Sequence, residues 1–379
     1  MVSLIIGGDI VPSFNNLEAF KRGEIENIVD KECQHILMTA DFRVFNLETP
    51  LTGVHAPMDK EGANFSVSIQ AVQGLKALNV DVLSLANNHC KDQGAIGLQE
   101  TVDVLRDHGI TPIGYGKDDQ NCDGTAFLTK DGITVAVVVC AETEFTLWNH
   151  GEIGAVPYHD YYTNRRISEA KQRADAVIVL YHGGKEYFTY VAPYQMERCH
   201  LMVDCGADFV FCQHSHCVSC YEEYHGGTIL YGQGNFIFHQ RNNLPQTKEG
   251  LLAKISVDKT QKSVEFIPIH LDQSDRACIT KAATEMLIAF NSRSIQVKDL
   301  MFVMEKYREF ASQKADAYYA RLQGSNRLLR FVRRVLEKTG VKFYQKQDKL
   351  ALLNLLQNEA HRELFIQALK DEIENEKGK

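Results

Sequence analysis

No run in this 379-residue chain reaches the roughly 20 apolar residues that a membrane-spanning helix needs. The opening segment, MVSLIIGGDIV, lacks a basic flank and breaks at Gly7-Gly8-Asp9. It reads as a buried strand rather than a signal peptide, and the expected location is cytoplasmic. Basic charge is also short: 41 Lys and Arg stand against 49 Asp and Glu, a formal charge of −8. That balance excludes a general nucleic-acid binder, which carries a basic footprint. There is no Gly-x-Ser-x-Gly elbow and no Gly-x-x-x-x-Gly-Lys loop, which removes serine hydrolases and P-loop NTPases. Internal repeats and low-complexity tracts are absent as well. Cysteine is plentiful at ten, yet only Cys217-Val-Ser-Cys220 has CxxC spacing, with no second pair. Without a secretory signal these read as reduced thiols, several of them, such as Cys140, Cys205 and Cys212, packed as small hydrophobes. A mononuclear zinc knuckle from the CxxC with His214 and His216 stays open as a weaker alternative.

What the chain does have is a set of apolar runs ending in donors. SLIIGG leads to Asp9, RVFNL to Glu48, and VDVLSLAN to Asn88 and His89; TVAVVV leads to Glu142, DAVIVLY to His182, and DFVFCQ to His214 and His216. Open α/β sheets bind ligands beyond the carboxyl ends of their strands, so a polar group placed there is a site candidate. Each has a bland counterpart. Asp9 could shape a turn, Glu48 could start a helix or be exposed, Asp92 could cap the helix opening near Gly94, and His182 could be a satisfied core histidine. Asn87-Asn88-His89 is costlier to explain away, because two amides and an imidazole are expensive to bury without partners, although they too could cap that helix. His214-Ser-His216 places two imidazoles at i and i+2, on one side of an extended segment, able to serve one metal or two adjacent ones. Jointly, carboxylates, an amide and imidazoles at the same kind of strand end suit manganese, iron or zinc better than a soft, thiolate-binding metal. The donors suffice for two divalent ions sharing a bridging carboxylate, an arrangement that clamps a phosphoryl centre and activates water.

Residues 1–272 alternate β-rich runs with helical stretches such as IQAVQGLKALN, AIGLQETVDVLRDHG and Gln195 to Cys205. The expected fold class is therefore α/β and layered. Consecutive strands between Gly226 and Leu271 predict a second, partly antiparallel sheet. From 273 to 379 a helical C-terminal region is expected, proline-free from Lys281 onward. Within it, Arg321 to Lys349 holds nine Lys and Arg against two acids, with Leu328, Val332 and Val335 at helical intervals. Such a stretch is either a solvated amphipathic helix or a peripheral contact for an anionic surface, a membrane included.

GGDI, NLETPLT, DVLSLANNHCKDQG, HGGKEY and GADFVFCQHSHCVSCYEEYHGGTILYGQGNFIF, spanning residues 3 to 240, resemble the CapA family of capsule and poly-γ-glutamate synthesis proteins. That family lies within the calcineurin-like metallophosphoesterase superfamily. The resemblance implies a two-sheet α/β/β/α sandwich over residues 1–272 with a dimetal site at one edge. It implies Asp9 and His216 on one ion, Asn88, His182 and His214 on the other, and Glu48 in the bridging place. His89 is then the group that protonates the leaving oxygen, with Lys185 and Glu186 as substrate contacts. Val11 stands where the superfamily usually has a histidine, and Glu48 where it usually has an aspartate. The activity implied is metal-dependent hydrolysis of a phosphoester in surface-polymer metabolism, on an anionic polymer or phosphoester substrate. Two alternatives remain: a metalloenzyme acting on peptide or amide bonds, and a non-catalytic scaffold of a polymer-synthesis complex.

Overall fold

The computed structural model describes residues 1–60, 62–148, 151–239, 244–279 and 283–322, then 331–332, 335–336, 346–357, 369 and 373. The strands in chain order begin with β1 (Val2–Val11), β2 (Phe42–Leu47), β3 (Val82–Ser84), β4 (Thr111–Ile113), β5 (Tyr115–Gly116) and β6 (Cys122–Asp123). Next come β7 (Thr125–Lys130), β8 (Ile133–Ala141), β9 (Gly154–Ala155), β10 (Ala176–His182), β11 (Phe209–Gln213) and β12 (Tyr221–Tyr224). The last are β13 (Gly227–Leu230), β14 (Asn235–Phe238), β15 (Glu249–Val257), β16 (Lys262–Leu271) and β17 (Ala277–Ile279).

One sheet runs β17-β16-β15-β1-β2-β3-β4, with β14 also pairing β1; a second runs β12-β13-β11-β10-β8-β7; β6, β5 and β9 form a small third. The central pairings of both large sheets are parallel, β1–β2–β3–β4 in one and β8–β10–β11–β13 in the other. Parallel strands need helices across their faces and are buried on both sides, which is why their sequences read as continuous apolar runs. The alternation shows how. Val135, Val137 and Val139 of β8, Ile178 and Leu180 of β10, and Phe209 and Phe211 of β11 join the core shared with the first sheet. Their neighbours Ala136, Val138 and Cys140, Val177, Val179 and Tyr181, and Val210 and Cys212 enter a second core with helices Asp160–Lys171 and Pro193–Asp204. Each valine, leucine, isoleucine or phenylalanine among them contributes about 1.5–3 kcal/mol when fully buried, so the period-2 pattern fixes both faces at once. The result is the expected two-sheet α/β sandwich.

One sequence expectation changes. The strands between Gly226 and Leu271 do not make a sheet of their own. β13 extends the second sheet, whereas β14, β15 and β16 join the first, two of them directly on β1. The chain crosses between sheets at Gly232-Gln233-Gly234, where Gly234 has φ +72°, a conformation glycine adopts without a Cβ penalty. Buried amides tie the layers at this crossing: Gln213 Nε2 donates to Gly7 O at 3.0 Å and Gln233 Nε2 to Ile6 O at 2.9 Å.

Contacts divide the chain into two compact units, Met1–Phe310 and Ala311–Lys379. In the first, helix Ala283–Gln296 packs on β12 and β16, with Phe290 against Tyr221 and Phe266. Helix Leu300–Leu322 follows, and the second unit includes helix Lys346–Gln357. Most of the basic stretch Arg321–Lys349, Leu328 among it, lies outside the described residues; Phe331, Val332, Val335 and Leu336 are helical and exposed. Among the described residues no helix is long and apolar enough to cross a membrane.

Candidate metal centre

The strand ends named above converge at the C-terminal edge of the sandwich. Asp9 lies within β1, at an irregularity in its pairing with both neighbours and beside the Gly7-Gly8 pair. A Cβ on Gly8 would stand 2.1 Å from the Gly234 carbonyl oxygen, so only glycine lets the two chains approach this closely. Glu48 follows β2, Asn88 follows β3, and His182 closes β10. β11 ends at Gln213, and both His214 and His216 have positive φ, 86° and 52°. The expected extended His-Ser-His segment is thus a bend, and each residue carries a backbone cost of about 1–3 kcal/mol that the surroundings must offset. The bend aims the two rings apart, with centroids 5.9 Å from one another.

Two donor groups result. Asp9, Glu48 and His216 form one; Glu48, His182 and His214 form the other, the ligand-type atoms of each lying within 4.8 Å of one another. Glu48 belongs to both. His182 Nε2 is 3.4 Å from Glu48 Oε1, 3.0 Å from Asn88 Oδ1 and 3.2 Å from His214 Nδ1. His216 Nδ1 is 3.5 Å from Asp9 Oδ2 and 3.0 Å from Asn235 Oδ1. Asp9 and Glu48 are fully buried, and neither oxygen of Glu48 has a hydrogen-bond partner among the described residues. A buried carboxylate without a donor costs several kcal/mol unless a cation meets it. Carboxylate oxygens, imidazoles and an amide oxygen around that orphan fit a hard or borderline divalent ion.

The electrostatics follow from crowding. Burial, with the Asp9 charge behind it, pushes the Glu48 carboxyl well above the usual range. Burial acts on Asp9 too, but the hydrogen bond and charge of His216 outweigh it and hold Asp9 low. Burial drives His182 down to about 4, and His214 also falls well below its ordinary value, burial again leading and His182 following. His216 is the exception: burial opposes its charge, yet Glu48 and Asp9 carry it up to about 9.

Other donors surround these groups. Asn46 Nδ2 donates to Asp9 Oδ1 at 2.8 Å, and Asn87 Nδ2 donates to Asn46 Oδ1 at 3.0 Å and Leu47 O at 2.9 Å. His89 lies at the rim, its Nδ1 2.6 Å from Asp92 Oδ2. Asp92 therefore does not cap the helix starting at Gly94, whose preceding residue Gln93 makes no side-chain cap. Lys185 lines a cavity of about 290 Å³ with Asn88, His182, His214, Glu142, Glu144 and Arg198. Glu186 is outside that lining, although its charge reaches Glu48. Glu142 does not join either donor group; it accepts from Gly184 N at 2.8 Å and faces Arg198 Nη1 at 3.6 Å. Val11 is buried and pairs with Phe238 in the β1–β14 ladder. The zinc knuckle does not form among the described residues: Cys217 Sγ bonds Phe188 O, Cys220 Sγ meets Ser219 Oγ, and neither cysteine joins a donor group with His214 or His216. All ten cysteines are free thiols.

The sequence did not single out Asn46, Asn235 or Lys60, whose Nζ donates to Asn88 O at 3.0 Å. Asn46 and Asn235 each sit in a quoted block, NLET and GNFIF, and an amide inside an apolar run was the available signal. Lys60 gave none.

Compared with known proteins, residues 3–240 match the family of the bacterial capsule synthesis protein PGA_cap. The chain belongs to that family. Among curated relatives, the capsule biosynthesis protein CapA of Bacillus anthracis is 26% identical over 226 residues, covering 58% of this chain and 54% of the relative. The PGA biosynthesis protein CapA of Bacillus subtilis is 28% identical over 252 residues, covering 65% of this chain and 66% of the relative. The chain thus spans between about half and two thirds of the length of these PGA_cap relatives. Solved structures similar to it include a phosphatase from Mycoplasma pneumoniae, at TM-score 0.43 and 12% identity, covering 70% of this chain and 93% of that one. A 5'-nucleotidase precursor from Thermus thermophilus gives TM-score 0.43 and 11% identity over 77% of this chain and 58% of that one.

Proposed function

We propose that this PGA_cap protein is a metal-dependent hydrolase of phosphoesters serving capsule or poly-γ-glutamate metabolism. Residues 1–272 carry the chemistry; after them the chain adds β17 to the first sheet and then the helices Ala283–Gln296, Leu300–Leu322 and Lys346–Gln357. The carrying observation is Glu48: a fully buried carboxylate with no hydrogen bond among the described residues, shared by two donor groups. On this reading Asp9, His216 and Glu48 hold one divalent ion, and Glu48, Asn88, His182 and His214 the other, each manganese, iron or zinc. Bound there, paired ions would supply Lewis acidity and activate water. The remaining work falls to side chains. His89 gives a proton to the leaving oxygen, and Asp92 fixes its ring through Nδ1. Lys185, on the wall of the adjoining cavity, meets the phosphoryl charge, and Glu186 orients the rest of the substrate.

Elemental analysis of protein purified without a metal-affinity tag, followed by phosphomonoester and phosphodiester assays, tests this. Two equivalents of metal and turnover that His214→Ala abolishes without unfolding the chain are expected. Full activity in that variant would sink the proposal. One observation favours a second reading, the non-catalytic scaffold: Val11 packs as core where the superfamily usually has a histidine. A chain that takes up no metal even on reconstitution would favour it.

A further inference from the structure

His89 is gripped from outside its own turn. Residues 52–60 and 62–66 belong to a loop whose ends meet at the Leu51–Val67 bridge, with Thr52 N donating to Val67 O at 2.9 Å and Val67 N to Pro50 O at 3.0 Å. This is the geometry of a compact surface loop with its own internal packing. It is fastened to the segment carrying His89: Met58 N donates to Asp92 O at 3.0 Å, Ala56 N to Gln93 Oε1 at 3.0 Å, and Gln93 Nε2 to Phe65 O at 3.0 Å.

Two side chains of the loop reach the imidazole. Phe65 stacks on it, centroids 4.1 Å apart and planes 20° from parallel. The Lys60 side chain is only 4% exposed; its Nζ donates to Asn88 O at 3.0 Å, lies 3.2 Å from His89 Nδ1 and forms an ion pair with Asp92 Oδ1. Burying an ammonium is costly unless it is paired and hydrogen-bonded, and all three partners here belong to the Asn88–Asp92 turn. Asp92 Oδ2, in turn, accepts from Phe65 N at 2.6 Å as well as facing His89 Nδ1. Nδ1 is thereby committed to Asp92, and among the described residues Nε2 has no hydrogen-bond partner.

We infer that Lys60 and Phe65 are positioning residues: together they fix the plane and the rotation of the His89 ring so that Nε2 is the nitrogen presented to substrate. The role rests on the reading of His89 as the group that protonates the leaving oxygen. Lys60 acts by locking Asp92 and the Asn88 carbonyl, and Phe65 by covering one ring face. Neither touches the reacting atoms.

The test uses the full-length chain with Lys60→Met, Lys60→Arg and Phe65→Leu. Nitrogen-15 NMR of histidine-labelled, zinc-loaded protein at one fixed pH reads which ring nitrogen of His89 carries the proton. Assays on the best phosphoester found read kcat and KM separately. Lys60→Met is expected to change the His89 nitrogen shifts and to lower kcat by about 10- to 100-fold, part of the factor a placed acid contributes. KM and metal content should stay constant. Lys60→Arg should recover part of kcat, which a merely structural role would not require. Unchanged His89 resonances with unchanged kcat in both Lys60→Met and Phe65→Leu would overturn the inference. If His89→Gln keeps full turnover while Lys60→Met still moves the His89 resonances, the proton-donor reading falls and the positioning role stands.

Discussion

Asp9 on β1 and Asn235 on β14 are register partners across a parallel pair, and the Nδ1 of His216 lies within reach of both, at 3.5 and 3.0 Å. On the proposed metal reading, outer contacts of this kind would orient the His216 ring, and losing such a contact typically costs about 10- to 100-fold in affinity. Asn235→Leu should therefore weaken one of two metal equivalents by about that factor and leave the other in place. Calorimetric titration of metal into the apoprotein checks this; equal weakening of both equivalents, or of neither, would contradict the split into two donor groups.

The metal-free protein should lose stability as pH rises from about 6.5 to 9. His216 is raised to about 9 in the folded state, so in this window the folded chain holds a proton that the unfolded chain has released. Stabilisation of this sign is complete below the ordinary histidine value and disappears as pH passes the folded one. Thermal unfolding in chelator across that range should show Tm falling, and Glu48→Gln should flatten the slope because Glu48 is the main support for the His216 charge. Added divalent metal should restore Tm at the alkaline end, since the cation takes the place of the proton. A Tm that is flat or rising in chelator would be the wrong sign.

Gly8→Ala should destabilise the chain by several kcal/mol, on the order of the largest single-residue effects. The added methyl would meet the Gly234 carbonyl oxygen at 2.1 Å, and neither backbone can yield without opening β1 from β14. Denaturant titration measures it. Gly62→Ala has open space around its Cβ, although its φ of +97° makes the backbone conformation strained for alanine, and it should cost less.

Much of this architecture was readable because parallel strands advertise themselves. TVAVVV, DAVIVLY and DFVFC are largely apolar since one face meets the other sheet and one meets helices, and the polar residue that ends each run falls at the binding edge. Sheet membership was harder. β13 and β14 are separated by four residues in sequence yet enter different sheets, and only the glycines flanking Gln233 hinted at the crossing. The His-Ser-His bend was hidden for a different reason. A histidine at positive φ is held there by its surroundings rather than by its own preference, so the spacing suggested an extended segment. Lys60 could not have been found, because its partners lie about thirty residues on and its own neighbours are ordinary loop residues.

The donors divide between the two layers in chain order: Asp9, Glu48 and Asn88 lie on or just after strands of the first sheet, His182, His214 and His216 on or just after strands of the second. A ribosome making this chain delivers the first of them some two hundred residues before the last. Until the second sheet has been synthesised and has docked, the early carboxylates have no imidazoles to share an ion with. On the proposed metal reading, a nascent or truncated chain that lacks the second sheet would hold at most a loose acidic edge, so metal capture would be a late event and a marker that the two layers have come together.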